Sequence, residues 1–256
     1  IVRLEEDVRR MTRGDLARHF GAHSSGRILL APLFRSVLWQ AHERIREGTE
    51  PPIYGNLRTF WYLWAKPVLA HIPDDDQVRT DPYDTWTHVF AELVLEERLF
   101  AYHDFDLTDE GWESRRIGTA RPEVLVFAEK TGWIRLLREL HEELGVSVLA
   151  LGGAPSALTS EYTARHVTEA LGRPGPVRLV GIVDYDPSGA IIARAFAEQL
   201  ARVGLPATGP AELVVHPRHY EPEEIETFKF LLPTREKTKT RRWMEETGGI
   251  GGEPYG

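Results

Sequence analysis

Three acidic residues stand where apolar segments end, and their side chains suit the binding of a hard metal cation. Glu129 closes the segment 123–129, and Asp184 and Asp186 close the segment 177–186. If both segments are parallel strands, their carboxyl ends meet at one edge of a sheet, so the three carboxylates are expected to converge. Converging carboxylates repel one another unless a divalent cation neutralises them. The sequence therefore predicts a site for one or two Mg²⁺ ions.

The residues after the two aspartates fit a phosphate beside that metal. Gly189 permits close approach of the backbone, and a helix beginning near Pro187 directs its positive dipole end at the same place. The alternative is that Asp184 and Asp186 only cap this helix. Two aspartates followed by proline and glycine, together with Glu129, favour the metal site.

A candidate nucleophile lies earlier in the chain. Arg58, Tyr62 and Lys66 are spaced i, i+4 and i+8, so in a helix they share one face. Two cations beside a phenol favour its ionised form and can also hold a phosphate. The alternatives are that Tyr62 merely packs against aromatic neighbours, or that Tyr54, in turn-like sequence, carries the chemistry.

The second half of the chain alternates between strand and helix patterns. Near-continuous apolar strands that alternate with helices are typical of an α/β fold with a central, mostly parallel sheet covered by helices. We expect strands at 123–129, 146–151, 177–186 and 211–217, with helices at 131–145, 158–171 and 187–204.

The first half reads mainly as helices. Apolar periodicity indicates helical segments within 2–20, at 28–46, from Leu57 with Asn56 as its cap, and at 87–99. Segment 99–112 could form a short hairpin, which would complete a winged helix-turn-helix. The pattern breaks near 114–122, so we expect an N-terminal domain at 1–118 and a second domain at 122–256.

The motifs of the second half resemble a Toprim domain. They are Glu129-Lys130 after the first strand, the GGxP loop at 152–155 after the second, and the DxDPxG loop at 184–189 after the third. The last two resemble most closely the A subunit of topoisomerase VI and the related meiotic double-strand-break protein. In that family a winged-helix domain carries a catalytic tyrosine, and the segment 58–62, Arg-Thr-Phe-Trp-Tyr, is similar to its motif.

The resemblance implies a DNA-cleaving subunit of a type IIB topoisomerase. Tyr62 would become linked to the 5′ end of the broken strand, assisted by Arg58 and by Mg²⁺ on the three acids, with Glu129 as a general acid or base. The family acts as a homodimer in which the tyrosine of one protomer meets the metal site of the other. A GHKL-type ATPase B subunit supplies ATP hydrolysis, and we expect this chain to bind no nucleotide. The short spacing from Tyr62 to Glu129 suggests a divergent bacterial or mobile-element member.

Composition sets outer limits on function. The 256 residues include no cysteine, which excludes disulfides, thiol nucleophiles and cysteine-ligated metals. A charged N-terminus and the lack of long apolar runs predict no secretory signal and no membrane span, so a cytoplasmic, nucleoid-associated protein is expected. Ile1 and the GGIGGEPYG ending suggest a piece of a longer chain.

The net charge of −8 argues against nucleic-acid binding, but the charges are segregated. Residues 74–113 hold thirteen acids and two bases, whereas 229–242 hold six bases and one acid. A local basic patch can bind double-stranded DNA although the chain is acidic, and each charge run can equally be a solvated face. The candidate DNA-binding residues are Arg58, Lys66, Lys130, Lys237, Lys239, Arg241 and Arg242.

Two other functions remain open on the sequence. The first is a Toprim-type nuclease that hydrolyses DNA with metal-bound water, in which Tyr62 is structural. The second is a non-catalytic DNA-binding subunit, in which the acidic residues are inert. A covalent protein–DNA adduct would separate the main hypothesis from both.

Overall fold

The computed structural model describes residues 4–24, 26–72, 81–233 and 237–256. The acidic run and the basic run are therefore described only in part. The side chain of Lys237, a candidate DNA-binding residue, lies outside this description.

The chain forms two compact units, Ile1–Glu110 and Gly111–Gly256. The first unit ends before residue 118, where the sequence pattern placed the border, because the residues after Glu110 are attached to the second unit. Arg116 and Val148 exchange two backbone hydrogen bonds of 2.9 and 2.8 Å, and the Ser114 hydroxyl donates to the Ala150 carbonyl at 3.0 Å.

The described part of the first unit is built from helices. Its α-helices are α1 (Leu4–Arg10), α2 (Arg13–Phe20), α3 (Leu30–Arg46), α4 (Leu57–Phe60), α5 (Lys66–Leu69) and α6 (Pro82–Leu95). A π-helical turn, Trp61–Ala65, joins α4 to α5 without a break. The Asn56 side chain accepts from the Thr59 amide at 2.9 Å, which confirms the predicted cap.

Aromatic side chains form the core of this unit. Phe60 on α4 packs edge-on against Trp86 on α6 with ring centroids 5.2 Å apart, and its ring lies 5.0 Å from that of Phe105. Phe34 on α3 contacts Trp86 in the same way at 5.7 Å. All four side chains are fully buried, so the helix that carries Tyr62 is fixed by its neighbouring aromatic residues.

The prediction of a hairpin at 99–112 is wrong. Within the described segment 99–112, Tyr102–Phe105 form a short 3₁₀ helix, and Leu107 pairs with Gly55 through an isolated parallel bridge. Tyr102, Phe105 and Leu107 are all buried, and their burial holds the segment against the core instead of letting it fold back on itself.

The second unit contains a four-stranded parallel sheet. Its strands are β1 (Arg121–Ala128), β2 (Val146–Ala150), β3 (Arg178–Ile182) and β4 (Glu212–Leu213), in the order β2-β1-β3-β4. The predicted α/β class and parallel sheet are confirmed. β3 and the edge strand β4 are both shorter than predicted, and their pairing covers only two residue pairs, Val180–Glu212 and Gly181–Leu213.

Helices cover both faces of this sheet, as successive residues of β1 show. Leu125 and Phe127 pack with α8 (Ala157–Leu171) and α9 (Pro187–Arg202), whereas Val126 and Ala128 pack with α7 (Ile134–Leu144). This alternation follows from the two-residue period of a strand.

The C-terminal segment forms a third small core. The segment contains α10 (Pro222–Phe228) and α11 (Lys237–Thr247). Its residues Leu232 and Trp243 are buried together with Tyr185 from the turn after β3. Among the helices of the described residues, none is long and apolar enough to cross a lipid bilayer.

Candidate functional site

The carboxyl edge of the sheet brings the ends of three strands side by side. Ala128 of β1 is the register partner of both Ala150 of β2 and Ile182 of β3. The Glu129 amide then donates to the Ile182 carbonyl at 3.1 Å. Glu129 therefore leaves the sheet beside the point where the chain enters the Asp184–Asp186 turn, as the sequence pattern predicted.

The turn after β3 depends on Asp186 and Gly189. Asp186 caps α9, since one of its carboxylate oxygens accepts from the Gly189 amide at 2.7 Å. A Cβ atom at Gly189 would lie 2.2 Å from the Asp184 carbonyl oxygen, so only glycine fits there. The capping alternative is thus realised for one oxygen of Asp186, and this bond fixes the direction of the turn.

Lys130 forms an ion pair with Asp184, the other aspartate of the turn. Its ammonium nitrogen lies 2.5 Å from a carboxylate oxygen of Asp184, and both side chains are about half exposed, at 57% and 50%. The sequence assigned Lys130 to DNA binding and did not predict this ion pair. Asp184 is therefore paired with a neighbouring residue of the same chain.

Glu129 accepts a hydrogen bond from the Asp184 backbone, yet one oxygen of its carboxylate is left without a partner. Its Oε2 atom is buried and has no hydrogen-bond partner, which is uncommon for a buried carboxylate oxygen. Burial raises the pKa of Glu129 above its ordinary value, and the nearby charges of Asp184 and Asp186 raise it further against the opposing effect of Lys130. The three acids are thus electrostatically coupled, and the Asp184 carboxylate in turn raises the pKa of Lys130.

The acids do not form a ready-made metal cluster. In the part of the chain that the structure describes, no three acidic or histidine side chains are grouped as metal ligands. The engagement of Asp184 by Lys130 and of Asp186 by the Gly189 amide accounts for this. The donor types nevertheless fit a hard cation, because Glu129 offers an unpartnered carboxylate oxygen next to two further carboxylates.

The glycine loop after β2 lies against Glu129. The Gly153 amide donates to the Glu129 carbonyl at 2.9 Å, and Gly152 and Gly153 have φ values of 70° and 120°. These left-handed conformations favour glycine. The loop therefore helps to hold the backbone of the acidic edge in place.

Tyr185 anchors the turn between the two aspartates, a role that sequence reasoning missed. It is 9% exposed and packs edge-on against Trp243 at 5.1 Å and His216 at 5.0 Å. An aromatic residue between two acids was a usable signal, but its contacts come from a segment distant in sequence.

Tyr62 is exposed on the first unit, as a nucleophile must be. Half of its side-chain surface is accessible, whereas Trp61 and Trp64 are buried on the core side as predicted. The Lys66 ammonium lies 4.7 Å from the centre of the Tyr62 ring, so the structure brings these two residues together.

Arg58 is placed elsewhere. Its guanidinium lies 4.7 Å from the ring centre of Tyr83, on α6, rather than being the cation on Tyr62. Burial raises the pKa of Tyr83, and the hydrogen bond and charge of Arg58 oppose that rise. The π-helical turn, closed by a hydrogen bond from the Lys66 amide to the Trp61 carbonyl, breaks the regular i, i+4 spacing that the prediction assumed.

Tyr54, the rival nucleophile, is 71% exposed.

The two arginines of α11 lie beside acids. Arg242 lies 3.0 Å from Glu246, which also accepts from Arg194 at 2.8 Å. Arg241 lies 4.0 Å from Glu245. Lys239 belongs to the same helix. The predicted basic patch is therefore partly neutralised by carboxylates one helical turn further on.

Comparison with models of known protein families finds no match, and comparison with curated protein sequences finds none either.

Proposed function

We propose that this chain is the DNA-cleaving subunit of a topoisomerase VI-like, type IIB enzyme. In this proposal Gly111–Gly256 is a Toprim domain and Ile1–Glu110 is a helix-turn-helix-type domain that carries the nucleophile. The chain acts on double-stranded DNA as a homodimer, with a GHKL-type ATPase as its partner. The observation that carries the proposal is the coupled acidic edge, where a buried Glu129 oxygen has no partner beside Asp184 and Asp186.

The residues would divide the reaction between them. The Tyr62 oxygen forms a bond to phosphorus while the bond from phosphorus to the 3′-oxygen breaks. The phenol proton passes to a base and the 3′-oxygen gains a proton, which leaves a 5′-phosphotyrosyl bond and a free 3′-hydroxyl. Glu129, with its raised pKa, suits a role as general acid or base. Mg²⁺ held by Glu129, Asp184 and Asp186 would stabilise negative charge on the phosphate.

Two local features support Tyr62 in this role. Lys66 places a positive charge beside the ring, which favours the approach of a phosphate. Tyr62 also lies in a π-helical turn, and such turns occur often at functional sites.

Replacement of Tyr62 by phenylalanine tests the proposal. Tyr62→Phe removes the nucleophilic oxygen and keeps the ring, so DNA carrying protein on its 5′ ends should disappear while the free energy of unfolding changes by no more than about 1 kcal/mol. The assay contains the partner ATPase, ATP and Mg²⁺, and is stopped with denaturant. Tyr54→Phe is the matched control, since Tyr54 is also exposed. An adduct that persists in Tyr62→Phe but not in Tyr54→Phe would transfer the role to Tyr54.

A metal-dependent nuclease is the second candidate. The acids at the sheet edge all belong to one unit, so hydrolysis by metal-bound water would need no group from the other unit. A nuclease would retain its activity in Tyr62→Phe and would produce ends without attached protein. EDTA should stop cleavage under either mechanism.

A further inference from the structure

A cavity opens next to the acidic edge and shares Asp184 with it. Its volume is about 370 Å³, within the ~300–1,000 Å³ typical of small-ligand sites. The cavity lies entirely in the second unit and is lined by the turn after β3, by residues between Val215 and Phe230, and by Ile250 and Gly256.

Flat, aromatic side chains dominate the wall of this cavity. Tyr185 and His216 pack edge-on beside it, and Tyr220, Phe228 and Phe230 also line it. Phe228 is 76% exposed, and Tyr220 and Phe230 are 41% and 47% exposed. Exposed aromatic residues gathered around one opening indicate a binding surface.

The polar groups of the wall favour a neutral ligand with donors and acceptors over a phosphate. Glu224 and Asp184 are acidic, and Lys229 is held by Glu226 at 2.6 Å. Burial, together with the nearby Arg218, lowers the pKa of His216, which keeps its ring uncharged at neutral pH. An anion would meet the Glu224 carboxylate and a lysine already paired with Glu226, whereas an uncharged heteroaromatic ring would meet aromatic faces and hydrogen-bonding groups.

We propose that this cavity binds one nucleobase that has left the duplex stack, packed on Phe228 next to the phosphate that lies at the acidic edge. The inference rests on the proposed function, because it takes the ligand to be the strand that is cut. A base is joined to its phosphate through one sugar, so adjacent sites for the two groups match the arrangement in which Asp184 borders both. Stacking on an aromatic side chain accepts any base and so gives little sequence preference.

The experiment uses single-stranded DNA that contains one 2-aminopurine, whose fluorescence falls when it stacks. Mg²⁺ is present because the proposed position of the phosphate needs it, the partner ATPase and ATP are left out, and gel electrophoresis verifies that the strand stays intact. Wild-type protein should quench the fluorescence, and Phe228→Ala should remove most of the quenching and weaken binding about tenfold or more. Phe228→Leu should behave like Phe228→Ala, because leucine is apolar but has no ring.

Leu231→Ala is the matched control. Leu231 is 61% exposed and follows directly on Phe230, but it does not line the cavity. Its replacement should leave both quenching and affinity unchanged.

The outcomes separate this inference from the proposed function. The base-binding site is overturned by any of three results. These are equal quenching by wild type and Phe228→Ala, no quenching by wild type, or quenching and affinity in Phe228→Leu that match those of wild type. The last result would assign the face to an apolar partner such as a peptide. Quenching that depends on Phe228, in a protein that never forms a 5′ adduct, supports the cavity inference and refutes the covalent mechanism.

Discussion

Glu129 combines burial with like-charged neighbours, and this combination has a cost for the folded protein. Its pKa is raised chiefly by burial and then by Asp184 and Asp186. The folded state therefore holds the Glu129 proton more tightly than the unfolded state does. Stability from this group is present at low pH and is lost as the pH rises from the ordinary value through the raised one.

Glu129→Gln should stabilise the metal-free protein at pH 7 to 8, because glutamine remains neutral where glutamate is charged. The gain should shrink towards pH 4, where the wild-type side chain also becomes neutral. Thermal unfolding in EDTA across this pH range measures it. Glu123→Gln, at an exposed position on β1, the strand that precedes Glu129, should change stability by less than about 0.5 kcal/mol. A wild type as stable as Glu129→Gln at pH 8 would contradict the coupling.

Residue types and spacing predicted which acidic residues lie together at the carboxyl edge of the sheet, but not their ion pairs. Adjacent strand ends placed Glu129 beside the aspartate turn. The Lys130–Asp184 pair was not predictable, since it depends on where a flexible side chain settles among several acids. Arg58 was assigned to Tyr62 from helical spacing, and the π-helical turn that disturbs this spacing leaves no clear mark in the sequence.

At the level of elements, the sequence predicted the parallel sheet and its helices well, because buried strands and helix caps have distinct local patterns. The same reasoning failed at 99–112. There, the burial of Tyr102, Phe105 and Leu107 decides the conformation, and alternating polar and apolar residues do not reveal which of them contacts the core. Tertiary packing thus overrode the local pattern.

The turn between β3 and α9 depends on one missing Cβ. Gly189→Ala would force that atom against the Asp184 carbonyl oxygen, and we expect a loss of about 2–4 kcal/mol from the resulting strain. Urea unfolding followed by circular dichroism measures it. Gly132→Ala is the control, since a Cβ there would meet no atom within 4 Å and should change stability by less than about 0.5 kcal/mol. Equal losses in the two variants would show that the turn tolerates a side chain.

At the scale of the whole molecule, charge pairing limits how strongly DNA can be held. The chain carries a net charge of −8, and Lys130, Arg241 and Arg242 already lie beside carboxylates. Each candidate cation that is paired in this way contributes less to binding a phosphate than an unpaired one. We therefore expect fewer phosphate contacts than the seven candidate residues would suggest.

About four phosphate contacts would make the affinity for duplex DNA fall about 150-fold between about 50 and 200 mM salt. Fluorescence anisotropy of a labelled duplex measures this slope. Glu246→Gln should tighten binding and steepen the slope, because Glu246 holds both Arg242 and Arg194. Glu143→Gln makes the same change in net charge at another exposed position and should have a smaller effect. Identical slopes for the two variants would exclude a role for the α11 arginines in DNA binding.

The Lys130–Asp184 contact also affects the concentration of divalent ion at which the proposed metal site would fill. A divalent ion that approaches Asp184 competes with an ammonium group only 2.5 Å from the same carboxylate. The free energy of separating that pair is subtracted from the binding free energy of the ion. In the proposed metal site, the edge would therefore take up an ion at a somewhat higher free concentration than it would with Lys130 absent, because an exposed pair of this kind contributes about 0–1 kcal/mol.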